Sequence, residues 1–281
     1  MQVALKWQYG GAAVLLVGAF AVFAATHAQP GASAASSRQQ QSQRSAASAA
    51  GASGHTQAVR TPTVKPVAAR TSTPTNTITA MTLGSSVAMG WDDKVGGGYL
   101  RRGFRAAAAQ SGNHYVVVSR AQAGDWAGKI MPGDYTDWLN TVKPQIVVIS
   151  WGILDDAHHK TPVSSFRATI HEQIQMALAR HMVVFIVTPP VTRASYTQYK
   201  TIEPMYLNNE VQVARSFHSP NVYVFDVFDQ MKGYIRVHHQ TYVPYMADGW
   251  HPNTAGHALA GGLLAGDIMR QFGKTPVHFI Q

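Results

Sequence analysis

Two short runs near the middle of the chain, QIVVIS at 145–150 and MVVFIV at 182–187, constrain its fold more than any other feature. Each run is rich in Val and Ile, with no polar residue at every second position. A strand with one face in water alternates apolar and polar residues, whereas a strand covered on both faces does not. These runs therefore predict strands that are buried on both faces, as in a parallel sheet.

Further short apolar runs alternate with longer amphipathic stretches from residue 77 onward. The predicted strands are 77–83, 115–120, 145–151, 183–189 and 222–228. The predicted helices are 98–110, 135–141, 163–180, 202–217 and 254–272. Strand and helix in alternation predict βαβ units with right-handed crossovers, and therefore an α/β fold around a mainly parallel sheet.

The first 76 residues are predicted to lie outside this fold. Residues 1–28 carry Lys6 near their start, then an apolar stretch and small residues, which is the pattern of a secretory signal peptide. The apolar stretch is nearly the ~20 residues that cross a bilayer, so an uncleaved N-terminal membrane anchor is the alternative. Both interpretations place the rest of the chain outside the cytoplasm, secreted or anchored. Residues 29–76, rich in Ser, Ala, Thr, Pro and Gln, predict a disordered linker, and 77–281 a single folded domain.

The charge distribution limits the partners that the sequence predicts. The formal net charge is +9, but six cationic residues and no acidic residue precede Thr77, so that 77–281 carry only +3. Nucleic-acid binding needs a dense basic face, and this small excess does not predict one. Contact with a membrane is expected only through the N-terminal segment. The chain has no Cys, which excludes disulfides, thiolate nucleophiles and Cys-based metal sites.

A catalytic pattern is present near the C-terminus, in the stretch DGWHPNTAGHALAG at 248–261. In parallel α/β sheets the active site lies beyond the carboxyl ends of the strands, so residues that directly follow strands bear on the chemistry. Ser86 follows the first predicted strand, and Asp248 and His251 lie three residues apart after the fifth. A Ser hydroxyl becomes a nucleophile when a His takes its proton, and a carboxylate orients that His. The three residues are therefore predicted to form a catalytic triad.

The same stretches resemble the sequence blocks of the SGNH, or GDSL-type, hydrolase family. GSSVAMGW at 84–91 is similar to the first block, and Gly124 in AQAGDW matches the glycine of the second. Residues 152–155 fall on the third block, and DGWHP at 248–252 matches the fifth, Asp-x-x-His-Pro. The resemblance covers about 78–272. It implies the flavodoxin-like SGNH hydrolase fold, a three-layer α/β/α sandwich, and an enzyme that acts on ester bonds.

The resemblance also implies roles for individual residues. Ser86 would be the nucleophile, His251 the general base and Asp248 the carboxylate that orients it. The oxyanion hole would consist of the backbone N–H groups of Ser86 and Gly124 and of a side-chain amide from the third block. The family has Asn at that last position, but this chain has Leu154, which carries no donor. Losing one such donor typically costs ~10²–10³ in rate.

A second departure from the family is Ser85, which stands where the first block usually has Asp. This change affects the expected geometry of the loop but not the nucleophile. The amide that Leu154 lacks would have to come from elsewhere in the chain. Asn113, Asn140 and Asn253 are candidates, but the sequence pattern does not place them.

One further group has residue types that bind metals: Asp155, Asp156, His158 and His159. Metal sites of this kind usually need a second ligand pair at a distance, and the chain offers none that matches. The group is therefore interpreted as a solvated loop, and neither a metal nor another cofactor is predicted. Trp91, Trp151 and Trp250 accompany three of the family blocks and are predicted to line an acyl or sugar pocket or to pack in the core.

The sequence thus predicts an exported serine esterase that hydrolyses small acyl esters through an acyl-enzyme. The expected substrate is a small acyl ester or an acylated carbohydrate of the cell wall or the extracellular space. An O-acyltransferase with the same triad is one alternative. A non-catalytic surface-binding module with a degraded oxyanion hole is another, and Leu154 is the residue that favours it. No expectation about the oligomeric state follows from the sequence.

Overall fold

The computed structural model describes residues 77–281. The signal peptide or membrane anchor at 1–28 and the linker at 29–76 lie outside the described residues and stay predictions. Within 77–281, none of the helices combines the length and the apolar character that crossing a bilayer requires.

A single sheet of five parallel strands forms the centre of the domain. The strands are β1 (Thr77–Gly84), β2 (His114–Ser119), β3 (Ile146–Ser150), β4 (Val183–Val187) and β5 (Val222–Phe225), in the spatial order β2-β1-β3-β4-β5. In the middle of the sheet, Gly84 at the end of β1 pairs with Ser150 at the end of β3. Strands β3 and β4 are buried at every position, as their apolar runs predict.

Helices cover both faces of this sheet. They are α1 (Ser86–Met89), α2 (Gly98–Ser111), α3 (Pro132–Val142), α4 (Asp155–His159), α5 (Val163–Leu178), α6 (Ile202–Ser216), α7 (Val227–Val237) and α8 (Thr254–Phe272). Alternate side chains of β3 pack on opposite faces of the sheet. Ile146 and Val148 pack with α2, α7 and α8. Val147 and Ile149 pack with α3, α5 and α6. The three-layer α/β/α architecture is therefore confirmed.

Several elements differ from the prediction: α1 was not predicted, α3 begins at Pro132 rather than 135, and β4 ends at Val187 rather than 189. The fifth strand ends at Phe225 because Asp226 caps a helix there, its side chain accepting a hydrogen bond from the N–H of Asp229 at 3.2 Å. Val227 and Phe228, predicted as strand, are therefore the first residues of α7.

The solvated loop predicted around Asp155 is also wrong, since Asp155, Asp156, His158 and His159 lie on the short helix α4. Asp156 is only 1% exposed. Its carboxylate accepts hydrogen bonds from the N–H of Ala127 at 3.2 Å and of Gly152 at 3.1 Å. Asp156 therefore joins two loops inside the protein rather than facing water.

Helices α2 and α8 pack closely through two glycines. A Cβ on Gly261 would lie 2.6 Å from the Cβ of Arg102, and one on Gly103 would lie 2.6 Å from the side chain of Leu264. A larger residue at either position would force the helices apart. Since α8 begins three residues after His251, this contact fixes the C-terminal part of the predicted triad against α2.

Candidate active site

The loops that follow β1, β2 and β3 meet the loop before α8 around one cavity of about 310 Å³. Its lining residues are Ser86, Trp91, Ala123, Gly124, Leu154, Asp155, His158, Trp250 and His251. The carboxyl ends of parallel strands lie at one edge of the sheet, and this is where the cavity is found. The structure therefore brings together the residues that the sequence predicted at the site.

Ser86 lies at the sharp turn from β1 into α1. Gly84 precedes this turn with φ of 149°, and a Cβ there would lie 2.5 Å from the carbonyl oxygen of Ser150. A residue with a side chain would separate β1 from β3 at this point. The turn leaves Ser86 only 5% exposed, with its Oγ 3.1 Å from Nε2 of His251.

The other nitrogen of His251 is held by Asp248. Nδ1 of His251 lies 3.0 Å from Oδ2 of Asp248, whose Oδ1 accepts hydrogen bonds from the N–H groups of Trp250 and His251, both at 2.6 Å. Burial acts to raise the pKa of Asp248, but these hydrogen bonds outweigh it and hold the pKa below its ordinary value. Asp248 is therefore a carboxylate at neutral pH, and it fixes the tautomer in which Nε2 of His251 is free to accept a proton.

Asn253 holds the end of the loop that carries Asp248 and His251. Its Oδ1 accepts a hydrogen bond from the N–H of Gly256 at 3.0 Å and so caps α8. Its Nδ2 donates to the carbonyl oxygens of Pro244 at 2.9 Å and Met246 at 3.2 Å. The side chain is thus fully used in fixing the loop.

A second carboxylate, Asp92, approaches the same histidine and was not predicted. Its Oδ2 lies 4.0 Å from Nδ1 of His251, and its backbone has a positive φ of 65°. The neighbouring Trp91 places its ring 5.8 Å from the imidazole of His251. Among residues 77–281, Asp92, Asp248 and His251 are also the group that brings three metal-ligand atoms within 4.8 Å of one another. The group of Asp155, Asp156, His158 and His159 does not converge in this way.

The loop with Trp91 and Asp92 is fastened to α8 and α2. Nε2 of the buried His257 donates to the carbonyl oxygen of Trp91 at 2.9 Å, and its Nδ1 accepts from the N–H of Tyr99 at 3.2 Å. Burial lowers the pKa of His257, so this pattern of one donor and one acceptor belongs to a neutral imidazole. His257 therefore positions Trp91 rather than taking part in chemistry.

Two residues that line the cavity have backbone N–H groups that the fold does not use. Within residues 77–281, no carbonyl oxygen accepts a hydrogen bond from the N–H of Ser86 or from that of Gly124. Both residues line the cavity. Unused donors beside a nucleophile are what an oxyanion hole requires.

Leu154 occupies the cavity wall where the resemblance implies an amide. Its side chain lines the cavity, it is 5% exposed, and its φ is 37°, a conformation that is strained for a residue with a branched side chain. No side-chain amide of the described residues replaces it at the lining. Asn113 donates to the carbonyl oxygen of Lys274, Asn140 lies near Arg180, and Asn253 caps α8.

Buried acidic side chains hold the loop that carries Leu154. Oε1 of Glu203 accepts from the N–H of Leu154 at 3.4 Å, and Oε1 of Glu210 accepts from the N–H of Trp151 at 3.2 Å. Burial raises the pKa of Glu203 to about 7, that of Asp156 to about 6, and that of Glu210 well above its ordinary value. No sequence pattern signals these acids, because nothing in the stretch around 203–210 marks its Glu residues as buried.

Asp155, next to Leu154, also lines the cavity. Its Oδ2 is buried and has no hydrogen-bond partner among the described residues, and burial raises its pKa. Of the three tryptophans, Trp91 and Trp250 line the cavity and are 45% and 40% exposed. Trp151 is 2% exposed and donates to Oε1 of Gln173 at 3.1 Å, so it belongs to the core.

The comparison with known families agrees with the fold. The sequence model of the GDSL-like Lipase/Acylhydrolase family matches residues 82–259, and the chain belongs to that family. It is thereby an ester-hydrolysing enzyme. No curated protein sequence matches the chain significantly.

Solved structures with the same fold come from several bacteria. Protein YXIM of Bacillus subtilis superposes with a TM-score of 0.56 at 18% identity, covering 70% of this chain, and this chain spans only 58% of that protein. A lipase/acylhydrolase of Enterococcus faecalis has a TM-score of 0.52 at 23% identity, over 71% of this chain and 100% of its own. A catalytic mutant of Axe2, an acetylxylan esterase of Geobacillus stearothermophilus, has a TM-score of 0.54 at 15% identity, over 72% and 97%. At these identities the likeness concerns the fold.

Proposed function

We propose that this chain is a serine esterase that removes small acyl groups from carbohydrates outside the cytoplasm. The observation that carries the proposal is the chain of contacts at the cavity: 3.1 Å from Oγ of Ser86 to Nε2 of His251, and 3.0 Å from Nδ1 of His251 to Oδ2 of Asp248. Hydrogen bonds of this length, in this order, let a His act as general base for a Ser.

The reaction that this arrangement supports has two halves. In the first, Oγ of Ser86 attacks the acyl carbonyl carbon while its proton passes to Nε2 of His251. The resulting oxyanion would accept hydrogen bonds from the N–H groups of Ser86 and Gly124. As the C–O bond to the alcohol breaks, the proton on His251 passes to the leaving oxygen, and an acyl-serine remains. In the second half, water attacks the acyl-serine, with His251 again taking and returning the proton.

The size and lining of the cavity favour a small acyl group on a sugar. A volume of about 310 Å³ lies at the lower end of ligand pockets, which excludes long fatty-acyl chains from full burial. The exposed rings of Trp91 and Trp250 offer flat apolar faces beside the nucleophile, and such faces pack well against a sugar ring. One relative of the same fold is an acetylxylan esterase, which makes an acetylated sugar the first substrate to test. The apolar segment at 1–28 supports action outside the cytoplasm.

The proposal is tested by turnover of a chromogenic acetyl ester with and without a serine-reactive fluorophosphonate. We expect turnover that the phosphonate abolishes, and a covalent adduct that peptide mass spectrometry locates on Ser86. The charge-neutral control is Ser85→Ala, which removes the neighbouring hydroxyl and should leave labelling in place. Phosphonate-insensitive turnover, or an adduct on another residue, would refute the assignment. Adding a sugar alcohol as acceptor then separates hydrolysis from acyl transfer, since a transferase would release acylated sugar in preference to free acid.

A further inference from the structure

A second concave surface lies next to the proposed active site. It is a groove of about 540 Å³ between α2 and the edge strand β2. The charged and aromatic residues along it are Lys94, Arg101, Phe104, Arg105, His114 and Tyr115. We call this surface the basic groove.

The basic groove is rich in cations, and the exposed carboxylate nearest to it in the sequence, Asp92, lies beside His251 at the cavity. From Lys94 to Gly124 the sequence has five cationic residues and no acidic one. No carboxylate within residues 77–281 forms an ion pair with Lys94, Arg101 or Arg105, all three of which are exposed. The overall charge of only +3 for this part of the chain therefore hides a local concentration of cations.

Arg102, on the same helix α2, differs from these three cations because it has an ion-pair partner. It is paired with the buried Asp93, at 2.6 Å from Nε to Oδ2, and the same carboxylate accepts hydrogen bonds from the N–H groups of Gly96 and Gly98. These contacts hold the pKa of Asp93 well below its usual range. The ion pair of Asp93 and Arg102 thus stabilises the loop that forms one wall of the groove. The other cations have no ion-pair partner in the part of the chain that the structure describes and are free to bind a ligand.

The groove and the cavity come close to each other along the chain. Trp91 lines the cavity and Lys94 lines the groove, and three residues of chain span at most about 11 Å. The ring of Trp91 is exposed, and Tyr115 in the groove is half-buried, with its ring centroid 5.2 Å from that of Phe104. Aromatic faces together with Arg side chains suit a ligand that carries both sugar rings and anions.

We propose that the basic groove binds an acidic polysaccharide, a glycan strand whose carboxylates pair with Arg101 and Arg105 while an acylated sugar of the same strand enters the cavity. Binding of the polymer rests on the groove alone, whereas its being the substrate rests on the proposed esterase function. Arg forms two parallel hydrogen bonds with a carboxylate, and Arg101 and Arg105 are one helical turn apart on the exposed face of α2.

The binding test uses the full-length chain and polygalacturonate as the probe, with uncharged dextran as the neutral polymer, in affinity electrophoresis. The variant is Arg101→Gln with Arg105→Gln, and the charge-matched control is Arg215→Gln with Arg236→Gln on α6 and α7. We expect the groove variant to bind polygalacturonate about five- to tenfold more weakly, since each exposed Arg–carboxylate contact contributes a modest free energy. The control should change by less than about twofold, and about 0.5 M salt should weaken binding of the unsubstituted chain, because exposed charges are screened.

Other outcomes would overturn the proposal. Equal losses in the groove variant and its control would mean that polymer binding follows net charge, with no groove. Groove-dependent binding of polyphosphate or of phosphatidylglycerol vesicles, with none of polygalacturonate, would mean a different ligand class.

Two readouts separate this inference from the esterase proposal. The groove variant should turn over a short chromogenic acetyl ester at the unsubstituted rate, because neither Arg lines the cavity. On acetylated polygalacturonate it should show a raised KM with unchanged kcat. Ser86→Ala should bind polygalacturonate as the unsubstituted chain does. Loss of turnover with intact groove-dependent binding would refute only the esterase proposal, and the reverse would refute only the groove.

Discussion

Two loops that flank the cavity are built in opposite ways. The loop at 248–253 is largely exposed, with the side chain of Asp248 at 45%, and it is held by hydrogen bonds within itself and to Pro244 and Met246 just before it. The loop at 151–155 is almost entirely buried and is held by Glu203 and Glu210, which lie 49 and 59 residues further along the chain than the residues they bind. The first loop matches the family pattern, and the second departs from it at Leu154.

The difference shows what a short motif can encode. A loop whose hydrogen bonds are local can be specified by a few adjacent residues, so Asp-x-x-His-Pro carries its own geometry. A loop held by distant buried acids keeps its backbone even when one of its own side chains changes. Leu154 therefore takes away a donor without displacing the loop, and the predictions below test each half of this contrast.

The largest effect is expected at the exposed loop and its partner serine. Ser86→Ala and His251→Ala should each reduce kcat by roughly 10⁴–10⁶, and the double variant should be little worse than either, since a nucleophile and its base act as one unit. Steady-state kinetics on a chromogenic acetyl ester measures this, with circular dichroism to show that each variant is folded. Multiplicative losses in the double variant would mean that the two residues act separately.

A smaller loss of kcat is expected when the carboxylates around His251 are substituted. Asp248→Asn should reduce kcat by about 10²–10⁴, less than Ser86→Ala, because Asn no longer fixes the tautomer while the nucleophile remains. Asp92→Asn alone should cost less than about threefold, because at 4.0 Å from Nδ1 it lies beyond hydrogen-bond distance. In the Asp248→Asn background, however, Asp92 becomes the remaining carboxylate, and its removal should cost about tenfold more. If the two losses simply multiply, Asp92 does not support His251.

The acids that hold the buried loop at 151–155 should make the free energy of unfolding depend on pH. Glu203 has a folded-state pKa of about 7 against an ordinary 4.5, so between these pH values the folded protein keeps a proton that the unfolded chain releases. The free energy of unfolding should therefore fall as pH rises through this window, by roughly 3 kcal/mol from this group, and level off above it.

Glu203→Gln should remove that part of the pH dependence while keeping an acceptor for the N–H of Leu154. Urea denaturation at pH 4.5 and 7.5 measures it, and Glu172→Gln, on the exposed face of α5, serves as the control that should keep the full dependence. Asp156 and Glu210 contribute equally to both variants. Parallel stability curves for Glu203→Gln and the unsubstituted chain would show that Glu203 does not titrate in this window.

The smallest effect is expected at Leu154, the residue that departs from the family pattern. Leu154→Asn should raise kcat by up to about tenfold with little change in KM, because an amide beside the oxyanion acts mainly in the transition state. The gain is limited because the surroundings of Leu154 are fitted to an apolar side chain. Leu154→Ala, which opens the same space without a donor, is the control and should not raise kcat. If Leu154→Asn is folded and no faster, residue 154 does not face the oxyanion.

The sequence predicted the parts of the molecule whose causes are local. The bounds of α8 agree with the prediction because Asn253 and Gly273 mark its two ends. Strands β3 and β4 agree to within one and two residues at each end because their apolar runs are continuous. The fifth strand was predicted too long because Val227 and Phe228 are apolar in either element. Helix α4 was missed because its polar residues suggested water, whereas Asp156 is buried by contacts from two other loops.

At the site, too, the sequence predicted only the residues that lie in local patterns. Ser86, Asp248 and His251 were found because each lies in a short pattern. Asp92 was not, because its approach to His251 depends on a backbone bend at Asp92 itself and on the hydrogen bond from His257 to Trp91. Such an arrangement leaves no spacing that a sequence pattern could show.

The close packing of α2 against α8 bears on where along a polymer the enzyme would act. With Gly103 and Gly261 leaving no room between the helices, the cations on α2 and the His251 that precedes α8 keep a constant separation. A glycan held by Arg101 and Arg105 would then present its acyl groups to Ser86 at one fixed offset from the bound carboxylates. We expect deacylation with a regular period along the strand, set by the spacing of the anionic sugars, rather than removal of acyl groups at random positions.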